Sequence, residues 1–322
     1  MAFCNLIVCP TMKQISINGI RLSRKMAQAG RYSVPGKNNT PIYQILASHR
    51  INMVCAGLHC LDKTQVFSCC LEAEHKQTAV RLLEEISDLS DVCMVSIYPH
   101  HNRSAVPGKL LCMLGQAGIG FVHLVSSPAM VCVVIDVRDQ NRVISLVESA
   151  FDLPSSHTPY FQEIAEDISC FLQKYPETRA FYVEEKIKTY GIGLTSGLEL
   201  HQIRCTGGEL ADAGAHLADM ARLDKKFYFV SAMAGPQHAY DLFFLTDPGA
   251  GGTFAMPADF ISFHGPHFGD RYKILGTAMD CLGAGGVPVI LVGCTGASIS
   301  LVVPAGRGQD ARNALASGFE AP

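Results

Sequence analysis

The sequence has no strong bias of charge. Among its 322 residues, 26 lysines and arginines stand against 29 aspartates and glutamates, a formal net charge of -3, and no long run of one sign occurs. A nucleic-acid binder needs a basic patch or stripe, and none is visible, so nucleic acid is not an expected partner. Charged residues are scarce at 17% and hydrophobic residues make up 48%, which argues against disorder and for a well-buried protein. Long hydrophobic runs are missing as well. No segment offers the roughly 20 apolar residues of a membrane-spanning helix, and no membrane association is expected. The opening MAFCNLIVCPTMKQ has neither a basic start nor a small-residue cleavage site, so no secretion signal is expected.

The thirteen cysteines contain no CxxC pair, which excludes a zinc ribbon or a thioredoxin-like redox pair. Cys55, Cys69, Cys70, Cys112, Cys132 and Cys294 lie inside apolar runs, where a free thiol acts as a small buried hydrophobe. The expected setting is a reducing cytoplasm with structural thiols. In a strand, vicinal Cys69 and Cys70 must point to opposite faces, which puts one of them in the core. Catalytic signatures are absent: there is no GxSxG elbow, no HExxH and no GxGxxG fingerprint. On these grounds the chain is expected not to be an enzyme, with no cofactor and no metal.

What is present is a repeated module: strand, Gly/Pro-rich loop, amphipathic helix, turn, then two β-rich runs joined by a hairpin. The clearest copies are 92–150 (VCMVSIY, AVPGKLLCMLGQAGIGFVHLVSSPAMVCVVIDV, NRVISLVESAF) and 260–317 (FISFHG, GDRYKILGTAMDCLGAGG, VPVILVGCTGASISLVV, GQDARNALAS). A weaker first copy opens at QISINGI, passes through the loop AGRYSVPGKNNT and places Pro41 at the start of a helix. Two strands, INMVCAGL and TQVFSCCL, follow, then a helix with Ala79, Leu82, Leu83 and Ile86 at helical spacing. The third copy has the helix GELADAGAHLADMARL and strands KFYFVSAM and HAYDLFFLT, with the Gly-rich DPGAGGTFAMPAD in place of a second helix. The strand pair EEKIKTYGIGL and GLELHQIRC, with Ser196-Gly197 as its turn, resembles CNLIVC and KQISINGI at the N-terminus.

The β-runs are joined by long connections in copies one and three and by tight ones in copies two and four. The chain therefore divides into a first pair at 1–155 (units about 1–90 and 91–155), a helical linker at 156–186, and a second pair at 187–322 (units about 187–256 and 257–322). The expected fold class is α+β: four ferredoxin-like βαββαβ units arranged as two pairs, with antiparallel sheets and helices on one face. Pro288 fits the start of an edge strand, because proline cannot donate to a ladder.

These motifs resemble the ACT domain, and specifically the paired ACT regulatory region of aspartate kinases. The likeness is strongest in copy four, and in copy two through Pro107-Gly108 and the turn Ala117-Gly118-Ile119. No segment resembles the kinase catalytic domain. The resemblance implies a regulatory protein that binds a small effector, usually an amino acid, where two units abut. The ligand would be held by main-chain groups of the loop entering the first helix and of the following edge strand. A helix N-terminus suits a carboxylate, and unpaired strand carbonyls suit an ammonium.

Carried onto this sequence, the loop candidates are Asn39 and Thr40, Val106, Pro107 and Gly108, then Gly207, Gly208 and Glu209, and finally His267, Phe268, Gly269 and Asp270. The strand candidates are Asn52 and Val54, Phe121 and His123, Ser231, and Val289 with Leu291. Asn52 alone retains the family's "I-N" asparagine; Gly120 and Val287 stand at its equivalents, and Val106 replaces the family's acidic loop residue. The resemblance further implies a homodimer and a regulated enzyme as partner.

Plainer readings stand beside these. Glycines at loop–helix junctions also serve the turn itself, and Asn52 can satisfy nearby backbone. His264, His267, His100 and His101 lack a cysteine or carboxylate at ligand spacing and read as surface histidines. The alternative functions are an interaction or assembly module that has lost its ligand, and an enzyme using an interface pocket.

Overall fold

The computed structural model describes residues 15–33, 40–61, 64–83, 89–155, 186–223, 225–235, 239–249, 255–266, 268–269 and 271–320. Asn39, His267, Asp270 and the linker helix expected within 156–185 lie outside them.

Short strands β1 (Ile15–Ser16) and β2 (Gly19–Leu22) come first. Copy one gives β3 (Met26–Ser33), α1 (Ile42–Ser48), β4 (Cys55–Leu61), β5 (Thr64–Glu72) and α2 (Lys76–Leu82). Copy two gives β6 (Ser90–Tyr98), α3 (Ala105–Gln116), β7 (His123–Ser126), β8 (Val131–Asp136), α4 (Gln140–Ala150) and β9 (Phe151–Asp152). Next come β10 (Ile187–Lys188) and β11 (Ile192–Thr206), then α5 (Leu210–Asp219), β12 (Phe227–Ala234) and β13 (Ala239–Thr246) of copy three. Copy four gives β14 (Ala255–His264), α6 (Ile274–Ala284), β15 (Leu291–Cys294), β16 (Ser298–Pro304), α7 (Gly308–Leu315) and β17 (Phe319–Glu320). The fold is mixed α/β, built on extensive antiparallel sheet. Among the described residues, no helix is long and apolar enough to cross a membrane.

Two compact units form, and neither is continuous in sequence. Unit 1 comprises 1–24, 92–153 and 199–256; unit 2 comprises 25–91, 154–198 and 257–322. The division at 155/156 read from the sequence follows chain order, whereas the units group copy two with copy three and copy one with copy four. The cause is strand pairing between copies. In unit 1, β7 pairs antiparallel with β12, with Val125 opposite Ser231. In unit 2, β4 pairs antiparallel with β15, with Gly57 opposite Gly293. The strand after Pro288 is therefore no edge, since β15 lies between β16 and β4.

The sheet of unit 1 runs β2-β6-β8-β7-β12-β13-β11. Its core gathers Val95, Ile97 and Leu124 from the strands with Leu110, Leu114, Val147 and Leu217 from the helices. Unit 2 runs β3-β5-β4-β15-β16-β14. Its core gathers Leu58, Leu71, Phe263 and Leu301 with Leu46, Leu275, Leu282 and Leu315.

The likeness between the segments opening each half has a structural counterpart. β1 pairs in parallel with β9, and β10 pairs in parallel with β17, each closing its own unit with two residues. Two local expectations change. Ser196-Gly197 is not a hairpin turn: β11 runs through it for 15 residues, with Gly197 at φ +74° and its N–H given to the Asp259 carboxylate. The stretch MAQAGRYS, expected to run into a loop, is the eight-residue strand β3, and QISINGI contributes instead to β1 and β2. Cys69 and Cys70 are both fully buried, so both faces of β5 are covered here, not one.

Candidate functional site

Three of the four copies end their first helix in the same way. After α1, α3 and α6, a residue in the left-handed region follows the C-cap: Arg50 (φ 58°), Gly118 (φ 63°) and Gly286 (φ 61°). The next N–H returns to the helix, from Ile51 to the Leu46 carbonyl, Ile119 to Leu114 and Val287 to Leu282, each at 2.9 Å. This is a Schellman ending, whose returning hydrogen bonds fix the direction of the exiting chain. It makes Ile51, Ile119 and Val287 equivalent, so the position of Asn52 is matched by Gly120 and Pro288. Val287, assigned to it from the sequence, is one residue early.

Asn52 leaves that ending partly exposed, and its side-chain Nδ2 donates to the Gly269 carbonyl at 2.5 Å. A strand candidate from copy one thus meets a loop candidate from copy four within unit 2. Val54 and Gly296 join them: a β-carbon on Gly296 would stand 3.1 Å from the Val54 carbonyl oxygen, and one on Gly269 4.0 Å from the Gly296 carbonyl oxygen. Phe268, next in the loop, is buried against Phe263 at a centroid distance of 6.0 Å and anchors the segment. The corner collects main-chain carbonyls beside one amide side chain. Such a set accepts hydrogen bonds and suits an ammonium or other N–H donor.

The other candidates are placed differently. Val106, Pro107 and Gly108 form the buried first turn of α3, not a loop before it. A β-carbon on Gly108 would lie 2.5 Å from the Ala218 backbone nitrogen, so this glycine serves the approach of α5. Gly207, Gly208 and Glu209 make a 3₁₀ turn. The Glu209 carboxylate accepts from the Thr206 N–H at 2.8 Å and the Thr206 hydroxyl at 2.9 Å, bonds that hold its carboxyl below the usual range. Thr40 is exposed, and its carbonyl accepts from Arg31.

The strand candidates His123, Ser231 and Leu291 sit in interior strands with a neighbour on each side, so their carbonyls do not line a free edge. The Val54 N–H is given to Cys70 within the sheet, and Val289, half-buried, precedes β15. Burial pushes His123 down to about 4 and keeps it neutral. The Phe121 N–H donates to the Tyr240 hydroxyl at 3.2 Å.

His100 is not a surface histidine. It is fully buried, with Nδ1 accepting from the Asn102 N–H at 3.1 Å and Nε2 2.6 Å from the Ser127 carbonyl. That pattern fixes the tautomer protonated on Nε2, and burial lowers its pKa. Exposed His264 lies beside the Tyr190 ring at 5.3 Å. Sequence reasoning did not single out Gly296 and Tyr240, which lie in runs it read only as turn and strand.

No protein-family model matches this chain, and no curated protein matches it. Solved structures do. An aspartate kinase from Synechocystis shares the fold at a TM-score of 0.70 and 15% identity, over 95% of this chain and 56% of that one. The chain thus spans little more than half the length of that enzyme. Regulatory subunits of aspartate kinase from Thermus thermophilus, in ligand-free form, and from Thermus flavus each cover 42% of this chain and 99% of their own. Their TM-scores are 0.36 and 0.37, at 19% and 22% identity, too low to carry an argument. The fold is aspartokinase-like. One expectation is corrected by the first match: the chain was expected not to be an enzyme, yet a solved structure that shares the fold over 95% of it is that of an enzyme, an aspartate kinase.

Proposed function

We propose that this chain is the effector-sensing part of an aspartate-kinase-type enzyme. In this reading it holds four ACT-like units in two pairs and binds a small effector, an amino acid, at a junction between units. The observation that carries the reading is the meeting of Asn52 with Gly269, 217 positions apart in sequence. Both were singled out as ligand contacts, one on the strand side and one on the loop side. The carbonyls of Val54, Gly269 and Gly296 suit the effector's ammonium, and the Asn52 amide offers both a donor and an acceptor. The same reading carries a cytoplasmic location and a homodimer.

A ligand that binds only the native state raises its melting temperature. The test is a thermal-shift series with each of the twenty amino acids. At a hundred times its dissociation constant, a bound amino acid stabilises the fold by about 2.7 kcal/mol, a rise of several degrees. No shift with any of them removes the effector reading.

A further inference from the structure

We propose that effector binding is confined to unit 2, because unit 1 closes its corresponding junctions with its own Tyr240 and Phe227. The inference rests on the effector reading above and deepens it. The shared helix endings supply the comparison. Where unit 2 presents the Asn52 side chain after Ile51, unit 1 presents Gly120 after Ile119, with no side chain at all. The space is taken by Tyr240 from β13: a β-carbon on Gly120 would stand 3.2 Å from the Tyr240 hydroxyl oxygen. That hydroxyl accepts the Phe121 N–H, a main-chain group the family resemblance had offered to a ligand. The Tyr240 and Phe121 rings lie 4.4 Å apart, and Tyr240 is 3% exposed.

The second junction of unit 1, between the loop before α3 and the start of β12, is closed by backbone. The Phe227 N–H donates to the Asn102 carbonyl at 3.0 Å, and Phe227 is fully buried. His100 packs edge-on over its ring at 5.6 Å. An effector entering unit 1 has to displace a buried tyrosine or break a main-chain bond under two buried rings. In unit 2 it has only to turn aside one partly exposed amide side chain. Opening the buried positions costs far more, so the difference in affinity favours unit 2.

The test uses hydrogen exchange by mass spectrometry on the whole chain, with each free amino acid added singly, together with calorimetric stoichiometry. The expected result is added protection in 50–58 and 268–276, none in 99–104, 119–125 or 225–230, and one amino acid bound per chain. Protection in 99–104, 119–125 or 225–230, with or without a second amino acid bound per chain, overturns the confinement while leaving the effector reading in place. No protection anywhere removes the effector reading and this inference with it. A ligand-free arm tests the closure alone. Tyr240→Phe keeps the ring and removes the hydroxyl, so exchange at the Phe121 amide is expected to quicken about fivefold, the loss of one ordinary hydrogen bond. Unchanged exchange there contradicts the closure even if an effector binds in unit 2.

Discussion

Gly108 and Gly214 face each other where α3 packs on α5. A β-carbon on Gly214 would stand 2.6 Å from the Gly108 carbonyl oxygen, and one on Gly108 2.7 Å from the Gly214 carbonyl oxygen. The contact is backbone on backbone, so no flexible side chain can yield. Replacing glycine by alanine inside a helix ordinarily gains about 0.5–1 kcal/mol. Here the sign reverses. Gly108→Ala and Gly214→Ala are each expected to lose about 1–3 kcal/mol through overpacking, measured as a lower urea midpoint at unchanged slope.

Asp259 is buried in unit 2 and holds three backbone N–H groups from two separate segments. Its Oδ1 accepts the Gly197 N–H at 3.2 Å, and its Oδ2 accepts the N–H groups of Gly306 at 2.9 Å and Gly308 at 3.0 Å. This carboxylate holds β11 straight through Gly197 and seats the first turn of α7. Asp259→Ala leaves the buried Gly308 N–H unsatisfied and is expected to cost about 1–3 kcal/mol. Asp259→Asn keeps one acceptor oxygen and should lose less, in the same denaturation series.

His123 gives unit 1 a defined acid sensitivity. Burial holds its pKa at about 4 in the fold, against an ordinary 6.5. Above pH 6.5 both folded and unfolded states are neutral there, and the group adds no pH dependence. Between 6.5 and 4 the unfolded chain takes the proton first, so stability falls as pH falls, by about 3 kcal/mol in all. Below 4 the slope from this group vanishes. Asp136, held at about 2 chiefly by the Arg138 side chain, acts only in stronger acid. Urea midpoints measured from pH 7 to pH 4.5 should fall steadily, and His123→Gln should flatten that fall; an equal slope in the variant contradicts the assignment.

Copies two and four were legible because each element carries its own signal. The short apolar run VCMVSIY appears as β6, and the apolar period of KLLCMLGQ followed by Ala117-Gly118-Ile119 appears as α3 with its Schellman ending. The long strand β11 was not, because Ser196-Gly197 reads as a turn. What keeps it extended is the acceptor oxygen of Asp259, 62 residues away. Strand β3 was missed because Gly30 and its small neighbours carry little β signal.

The grouping of copies is of another kind. It depends on which edge finds which partner, and β4, β7, β12 and β15 present similar apolar runs, so their pairing is written in no local pattern. Within the proposed site, Asn52 and Gly269 were singled out through the family resemblance. Tyr240 was not, since a lone tyrosine in an apolar strand reads as core.

The central claim is that an amino acid binds at the corner formed by Asn52, Val54, Gly269 and Gly296. Calorimetric titration of the whole chain and of Asn52→Ala with the amino acid giving the largest thermal shift tests it most directly. The account predicts saturable binding to the native chain and about tenfold weaker binding to Asn52→Ala, the loss of one or two side-chain hydrogen bonds. Equal affinity in the two proteins, or no binding to the native chain, contradicts it.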